Sequence, residues 1–438
     1  MTTPVPEDAM LIVGAGHCGG RAALELRNAG WTGAIHLVGD EAELPYERPP
    51  LSKGLLTGES TAQQCGFLPA SEIERLAIQH HVAPATRIDT LARTVTLASQ
   101  EVLPYRSLLI ATGGRVRRLT VPGADLPQVL TLRNLDDAHL LALQLQPGQR
   151  LVVVGGGFIG LEVAASAIQL GCSVTLLEMG PRLMGRAVPE SVAQRALTLH
   201  RKHGVKLLLE RSIERIVPTH AGVQLLLTDG TQLDAGAVLV GIGIDAHADL
   251  ARAAGLAVAR GIVVNDQLET SVPGIFAAGD VAEFPSVISG ALMRQETWHN
   301  AETQAHTAAR NMLGQHESFA AHPWFWSDQY DHQVQVAGEP ALASSGPNGT
   351  VSRRLAGSEE IIFYLDAERR LVGACGWGLT TQLAKEFKLA RMLVERNVVL
   401  PRPQVLQDLT IRLKDMLQPS SYRSATTEPT SQTIGAGI

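Results

Sequence analysis

Two short glycine-rich segments constrain this chain more than anything else in it, because each stands where an apolar strand must turn sharply into a helix. Gly14-Ala15-Gly16-His17-Cys18-Gly19 follows the run Met10-Leu11-Ile12-Val13, and Asp40 ends the next strand-like run. Gly155-Gly156-Gly157-Phe158-Ile159-Gly160 follows Leu151-Val152-Val153-Val154, and Glu178 ends the run Ser173 to Leu177. Glycines at this spacing permit the tight turn, the approach of a phosphate to backbone N–H groups, and close packing of helix on strand; a carboxylate about 20 residues on accepts ribose hydroxyls. One such loop is also compatible with a plain strand–helix turn that binds nothing. Two of them, each with strand, helix and carboxylate in order, imply two dinucleotides on one chain and electrons passed between them.

Glu178 bears on the choice of the second dinucleotide. A carboxylate there accepts an adenosine 2′-hydroxyl and repels a 2′-phosphate, which favours NADH over NADPH. Arg182 and Arg186, close behind it, are placed to soften that preference.

Bulk properties narrow the class further. A chain of 438 residues exceeds what a single core supports and predicts two or three domains. The net charge of -6 counts against a nucleic-acid partner. No stretch approaches the ~20 apolar residues of a membrane span, and Met1 to Asp8 lacks the features of a secretory signal, so a cytoplasmic protein is expected. The four cysteines, Cys18, Cys65, Cys172 and Cys375, share no C-x-x-C or C-x-x-x-x-C spacing, which argues against dithiol chemistry. Cys18, inside the first loop, reads as a small packing residue. No metal site is expected: His80-His81 is an isolated pair, and no Cys/His cluster has ligand spacing.

Three further strand-then-glycine segments end at Gly113, Gly243 and Gly279. Their order predicts an α/β chain with two Rossmann-like nucleotide-binding domains, one inserted in the other. The first spans 1–114 and resumes at 246–322, and the second occupies 115–245. From 323 shorter alternating runs predict a C-terminal α+β domain to 410, with paired strands around Asp366 to Arg370 and a helix near 381–396. Residues 411–438 are expected to form a flexible tail, rich in Ser, Thr, Gly and Pro from Ser420.

Several motifs are more specific than the loops. They are Leu44-Pro45-Tyr46-Glu47-Arg48-Pro49-Pro50-Leu51-Ser52-Lys53, Gly155 to Glu162, Arg294 to Ala301, and Pro323-Trp324-Phe325-Trp326-Ser327-Asp328-Gln329-Tyr330. On these residues, over about 10–410, the chain resembles the FAD-dependent, NADH-using ferredoxin reductases of oxygenase systems, the group of putidaredoxin reductase, rubredoxin reductase and the biphenyl dioxygenase reductase component. The resemblance implies a glutathione-reductase-like fold and non-covalent FAD. It implies Lys53 near flavin N5, paired with Glu162, so that the two act on the nicotinamide and on the charge arriving with hydride. FAD contacts are implied for Gly14, Gly16, Cys18, Gly19, Asp40, Arg48, Lys53, Ile88 (adenine side), Arg133, Asp280 and Trp298. NADH contacts are implied for Gly155, Gly157, Phe158, Ile159, Gly160, Glu178, Arg186, Gly243 and Glu296.

Three of the five Trp fall between 298 and 326 in a chain that is 4% aromatic. The resemblance makes Trp324 and Trp326 a docking surface for a small iron–sulfur protein, with Arg310 beside them; packing between domains accounts for the two tryptophans equally well. His306 stands where some relatives carry a basic docking residue, and Arg294 and Arg115 to Arg118 are further basic candidates. The implied activity passes electrons from NADH through FAD to a [2Fe–2S] ferredoxin, Rieske-type or otherwise, or to a rubredoxin, which feeds a Rieske oxygenase or a cytochrome P450. Two alternatives stay open: an NADH-sensing flavoprotein of the apoptosis-inducing-factor type, and an FAD/NADH oxidoreductase with another acceptor.

Overall fold

The computed structural model describes residues 8–417 except 186, 347, 348, 356 and 358. The chain divides into two compact units, Met1–Tyr330 and Asp331–Ile438.

The first unit is organised by two five-stranded parallel sheets. One runs in the order Ile275–Ala277, Ser107–Ile110, Ala9–Val13, Ala34–Gly39, Ile78–Val82. The other runs Lys206–Leu209, Ser173–Glu178, Arg150–Val154, Ala237–Val240, Val129–Leu130. Parallel sheets are covered on both faces, which is why the central strands, such as Ala9–Val13 and Arg150–Val154, read as nearly continuous apolar runs rather than alternating ones. Met10, Leu11, Ile12, Leu108 and Leu109 are all fully buried. In chain order the first sheet takes its strands from 9–110 and 275–277, and the second takes its strands from 129–240.

The same backbone device closes both glycine loops. Gly14 N donates to Val38 O, and Gly155 N donates to Leu177 O, each at 2.8 Å. Both glycines have positive φ, +114° and +108°. A Cβ on Gly14 would lie 2.2 Å from Ala111 O, and one on Gly155 would lie 2.4 Å from Gly241 O. Only glycine fits, because the loop crosses directly over the end of the neighbouring strand. Gly19 and Gly160 serve helix packing: a Cβ there would lie 1.8 Å from Gly14 O and 2.1 Å from Gly155 O. Each loop then enters a helix, α1 (His17–Asn28) and α2 (Phe158–Gln169). A third helix, α3 (Trp298–Met312), lies along α1; its Thr297 cap accepts from Asn300 N at 3.1 Å.

The second unit contains four antiparallel strands in the order His332–Gly338, Leu371–Leu379, Glu360–Leu365, Thr350–Arg354, with α4 (Thr380–Glu395) packed on them. The chain does not loosen at 411 as the sequence predicts. Buried Arg353 donates to Leu406 O, Asp408 O and Ile411 O at 2.9–3.1 Å, and Leu413 and Met416 are buried. The rest of the predicted tail, 418–438, lies outside the described residues. No helix among the described residues is long and apolar enough to cross a membrane.

Candidate active site

The carboxyl ends of both parallel sheets open on one cavity of about 610 Å³, lined entirely by the first unit. Ligands of open parallel sheets bind at this edge, where strand order reverses around the central strand. The cavity gathers Gly14, Gly16, Cys18, Asp40, Arg48, Lys53, Arg133, Asp280 and Trp298 with Gly157, Phe158, Ile159, Glu162, Gly243, Glu296 and Trp326. Residues read from two separate nucleotide loops therefore share one chamber.

At its centre stands the Lys53–Glu162 pair. Lys53 follows a 3₁₀ turn, Pro49–Ser52, and Glu162 sits in the second turn of α2. Lys53 Nζ is 3.2 Å from Glu162 Oε2 and 3.7 Å from Asp328 Oδ2. Glu162 is 4% exposed, and its two oxygens also accept the hydroxyls of Ser52 (2.5 Å) and Ser327 (2.6 Å). A buried carboxylate survives only with such partners. Neither serine is singled out by the sequence; the signal available was a small polar residue beside Lys53 and another beside Asp328.

A second polar group lies near the first loop. Arg133 donates to Asp280 Oδ2 at 3.0 Å, and Arg48 donates to Arg133 O at 2.6 Å and to Glu41 Oε1 at 2.5 Å. Tyr46 donates to the other Glu41 oxygen at 2.5 Å and accepts from Leu135 N at 3.1 Å. Burial pushes the Tyr46 phenol up, which keeps it a donor.

Two groups of contacting aromatic rings line the cavity. Trp298 meets His17 at 5.3 Å and the edge of Trp326 at 5.8 Å, and Phe325 meets Phe158 at 5.0 Å. Trp324 lines no part of the cavity; it stacks on Trp326 at 5.1 Å and meets His299 edge-on at 5.4 Å. His17 Nε2 bonds Glu302 Oε2 at 2.6 Å, and Arg21 Nε is 2.9 Å from the same oxygen. Burial opposes the charge on Glu302, but His17, His306 and Arg21 outweigh it and hold that carboxyl at about 2.

Other predicted residues fall elsewhere. Ile88 is a correction: it is 4% exposed in the core of the sheet Ala85–Asp89, Thr94–Leu97, Val102–Pro104, and does not line the cavity. Val82, paired with Gly39 and 54% exposed, ends the strand next to the one that leads into Asp40. Arg310 sits on α3 away from the cavity, engaged by Glu25 at 2.7 Å and Glu317 at 3.4 Å. Glu178 stands behind the second loop, accepting from Gly156 N at 2.7 Å and Gly180 N at 2.6 Å. Arg186 lies outside the described residues.

The residues present fit a dinucleotide at each loop. No heavy atom lies within 4 Å of where a Gly157 Cβ would be, and only an Arg48 nitrogen, at 3.5 Å, approaches that of Gly16. Buried His17 Nδ1 and Trp298 Nε1, both on cavity-lining residues, have no hydrogen-bond partner among the described residues. The donor set does not fit thiol chemistry. All four cysteines are free and buried, and burial, with the nearby Asp280 and Glu302 charges, pushes the Cys18 thiol up. Among the described residues no His/Cys/Asp/Glu group could hold a metal ion.

The pyridine nucleotide-disulphide oxidoreductase family matches residues 8–305, and the reductase C-terminal family matches 324–417. The chain is 38% identical over 415 residues to the anthranilate 1,2-dioxygenase system ferredoxin–NAD(+) reductase component of Burkholderia cepacia, covering 94% of this chain and 99% of that one. It is 37% identical over 411 residues to the p-cumate 2,3-dioxygenase system ferredoxin–NAD(+) reductase component of Pseudomonas putida, covering 93% and 98%. The ferredoxin reductase for the CYP199A2 system of Rhodopseudomonas palustris superposes with a TM-score of 0.88 at 35% identity, over 94% of this chain and 100% of that one. Putidaredoxin reductase in its covalent complex with putidaredoxin gives 0.87 at 33%, over 94% and 98%. With two nucleotide loops opening on one cavity and this likeness over nearly its whole length, the chain belongs to the pyridine nucleotide-disulphide oxidoreductase family and, within it, to the ferredoxin–NAD(+) reductases, oxidoreductases that use a flavin and a pyridine nucleotide.

Proposed function

We propose that this chain carries electrons from NADH, through non-covalently bound FAD, to a [2Fe–2S] ferredoxin that supplies a Rieske oxygenase or a cytochrome P450. The observation that carries the reading is the Lys53–Glu162 pair, 3.2 Å apart in the one cavity that both glycine loops enter. FAD belongs at the loop Gly14–Gly19, in a domain formed by 1–114 and 246–322. NADH belongs at the loop Gly155–Gly160, in a domain formed by 115–245.

A bound flavin accepts a hydride as an electron pair and releases electrons singly. The protein's part is to bind, orient and exclude. Gly16 and the N-terminus of α1 present N–H groups to the pyrophosphate at the turn that Gly14 makes, and Asp40 accepts ribose hydroxyls. Arg133 and Asp280, joined at 3.0 Å, hold the middle of the cofactor, with Arg48 bracing Arg133 through its carbonyl. Trp298 closes one end. Gly157, Phe158, Ile159 and Gly243 would hold NADH, with Glu296 near its nicotinamide, and Glu178 would select NADH by accepting a 2′-hydroxyl. Lys53 and Glu162 orient the nicotinamide and hold the charge that arrives with hydride. Trp324 and Trp326 form the docking surface for the ferredoxin, and Arg310 adds positive charge to it, exchanging its contacts with Glu25 and Glu317 for acidic groups of the partner.

The test is to purify the holoprotein, record its flavin spectrum, and follow NADH-driven reduction of a panel of [2Fe–2S] ferredoxins. Rapid reduction of at least one supports the reading. Failure with every ferredoxin and rubredoxin, alongside rapid turnover of peroxide or a disulfide, overturns it.

A further inference from the structure

The Glu162 carboxylate is held by more than its lysine. Three chain segments distant in sequence converge on it: the turn Pro49–Ser52 with Lys53, α2 itself, and the strand Trp324–Gln329. Ser52 (2% exposed) donates to Oε2 at 2.5 Å, and Ser327 (0% exposed) donates to Oε1 at 2.6 Å. One turn along α2, Ser166 donates to Ser52 O at 2.8 Å, which pins the serine-bearing turn to the same helix.

A buried serine ordinarily satisfies its hydroxyl on a nearby backbone carbonyl. Here both hydroxyls are instead aimed at opposite oxygens of one carboxylate. Lysine alone leaves that carboxylate free to rotate, because an ammonium is a point charge on a flexible stem. The lysine is itself shared, its Nζ lying 3.7 Å from Asp328 Oδ2 and 3.4 Å from Pro49 O. Two fixed donors remove the carboxylate's freedom to rotate.

We propose that Ser52 and Ser327 are positioning residues for the hydride step: they clamp the plane of Glu162 and thereby fix the oxygen that Lys53 meets at 3.2 Å. This rests on the reading that Lys53 and Glu162 serve the nicotinamide. A misplacement of a reacting group by about 1 Å is enough to cost up to 10²-fold in rate. Losing one hydrogen bond to a charged group corresponds to about tenfold.

The experiment is rapid-mixing reduction of the holoenzyme by NADH. Ser327→Ala and Ser52→Ala are each expected to slow reduction at saturating NADH about tenfold, with half-saturation by NADH and flavin content unchanged. In a Glu162→Ala background, Ser327→Ala is expected to cause no further loss, because it acts only through that carboxylate. A readout independent of turnover is the long-wavelength charge-transfer absorbance formed when NAD+ is added to the reduced protein; it weakens in both serine variants if nicotinamide alignment is lost. Should Glu162→Ala and Lys53→Met themselves leave reduction unchanged, the role given to the pair is wrong. Should those two slow it while the serine variants match wild type, or while the losses of Ser327→Ala and Glu162→Ala multiply, the clamp is wrong and the role of the pair stands.

Discussion

Replacing His200 by glutamine is expected to remove a defined part of the acid sensitivity of the fold. His200 lies on the helix Glu190–Lys202 with no exposed surface, its Nε2 3.1 Å from Gln329 Oε1 and its Nδ1 3.3 Å from Tyr330 Oη. It therefore ties that helix to the end of the strand that carries Trp326 and Ser327. Burial pushes the imidazole down from 6.5 to about 4, only partly offset by its bond to Gln329. The folded state thus refuses a proton that the unfolded chain accepts, so the contribution to stability is full above 6.5 and is lost as pH falls from 6.5 towards 4. The difference of 6.5 - 4, or 2.5 units at 1.36 kcal/mol each, amounts to about 3 kcal/mol. About 2 kcal/mol of it disappears between pH 6.5 and 5. Urea unfolding of wild type and His200→Gln, followed by tryptophan fluorescence at several pH values, isolates this share, because other titrating groups are common to both proteins. The wild type should lose about 2 kcal/mol more than the variant across that window. Parallel curves for the two proteins would show that His200 is not excluded from protonation as argued.

Other perturbations have equally definite outcomes. Gly14→Ala places a Cβ 2.2 Å from Ala111 O at a φ of +114°, so the loop must distort; the purified variant is expected to lack flavin absorbance while its far-ultraviolet circular dichroism stays near wild type. Glu178→Ala removes the acceptor of Gly156 N and Gly180 N as well as the repulsion of a 2′-phosphate. The ratio of kcat/KM for NADH over NADPH should fall by about tenfold, and an unchanged ratio would mean that selectivity lies elsewhere. Trp324→Ala should raise the KM for ferredoxin while NADH-driven reduction of a small inorganic acceptor changes far less; equal loss of both activities would show that Trp324 serves the cavity through its stack on Trp326 rather than docking.

Local spacing carried the backbone geometry of the nucleotide loops. Gly19 and Gly160 are legible because each packs on a glycine five residues before it, and Gly14 and Gly155 because they share that spacing, although the contacts that bar a side chain there come from the distant Ala111 and Gly241. The apolar runs that became parallel strands are legible for a similar reason, since burial on both faces leaves a continuous signature in the chain. Lys53 and Glu162 were found by their motifs, and their pairing at 3.2 Å has no local signal in either segment.

The misreadings have the same origin. Ile88 and Val82 are both apolar residues on short strands, and only the tertiary structure separates the exposed strand end at Val82 from the core that Ile88 shares with the first parallel sheet. Leu413 and Met416 sit in a stretch that borders a polar tail, yet the carbonyls that Arg353 gathers bring this segment back into a core. The sequence by itself determined that two dinucleotide loops exist, which helix follows each, and which carboxylate stands behind each, because those features depend on contacts within a few tens of residues. Only the tertiary structure decided that both loops open on one cavity, that Ser52 and Ser327 meet on Glu162, and that Arg310 is engaged by Glu25, because burial and charge pairing between distant segments appear only once both sheets are assembled.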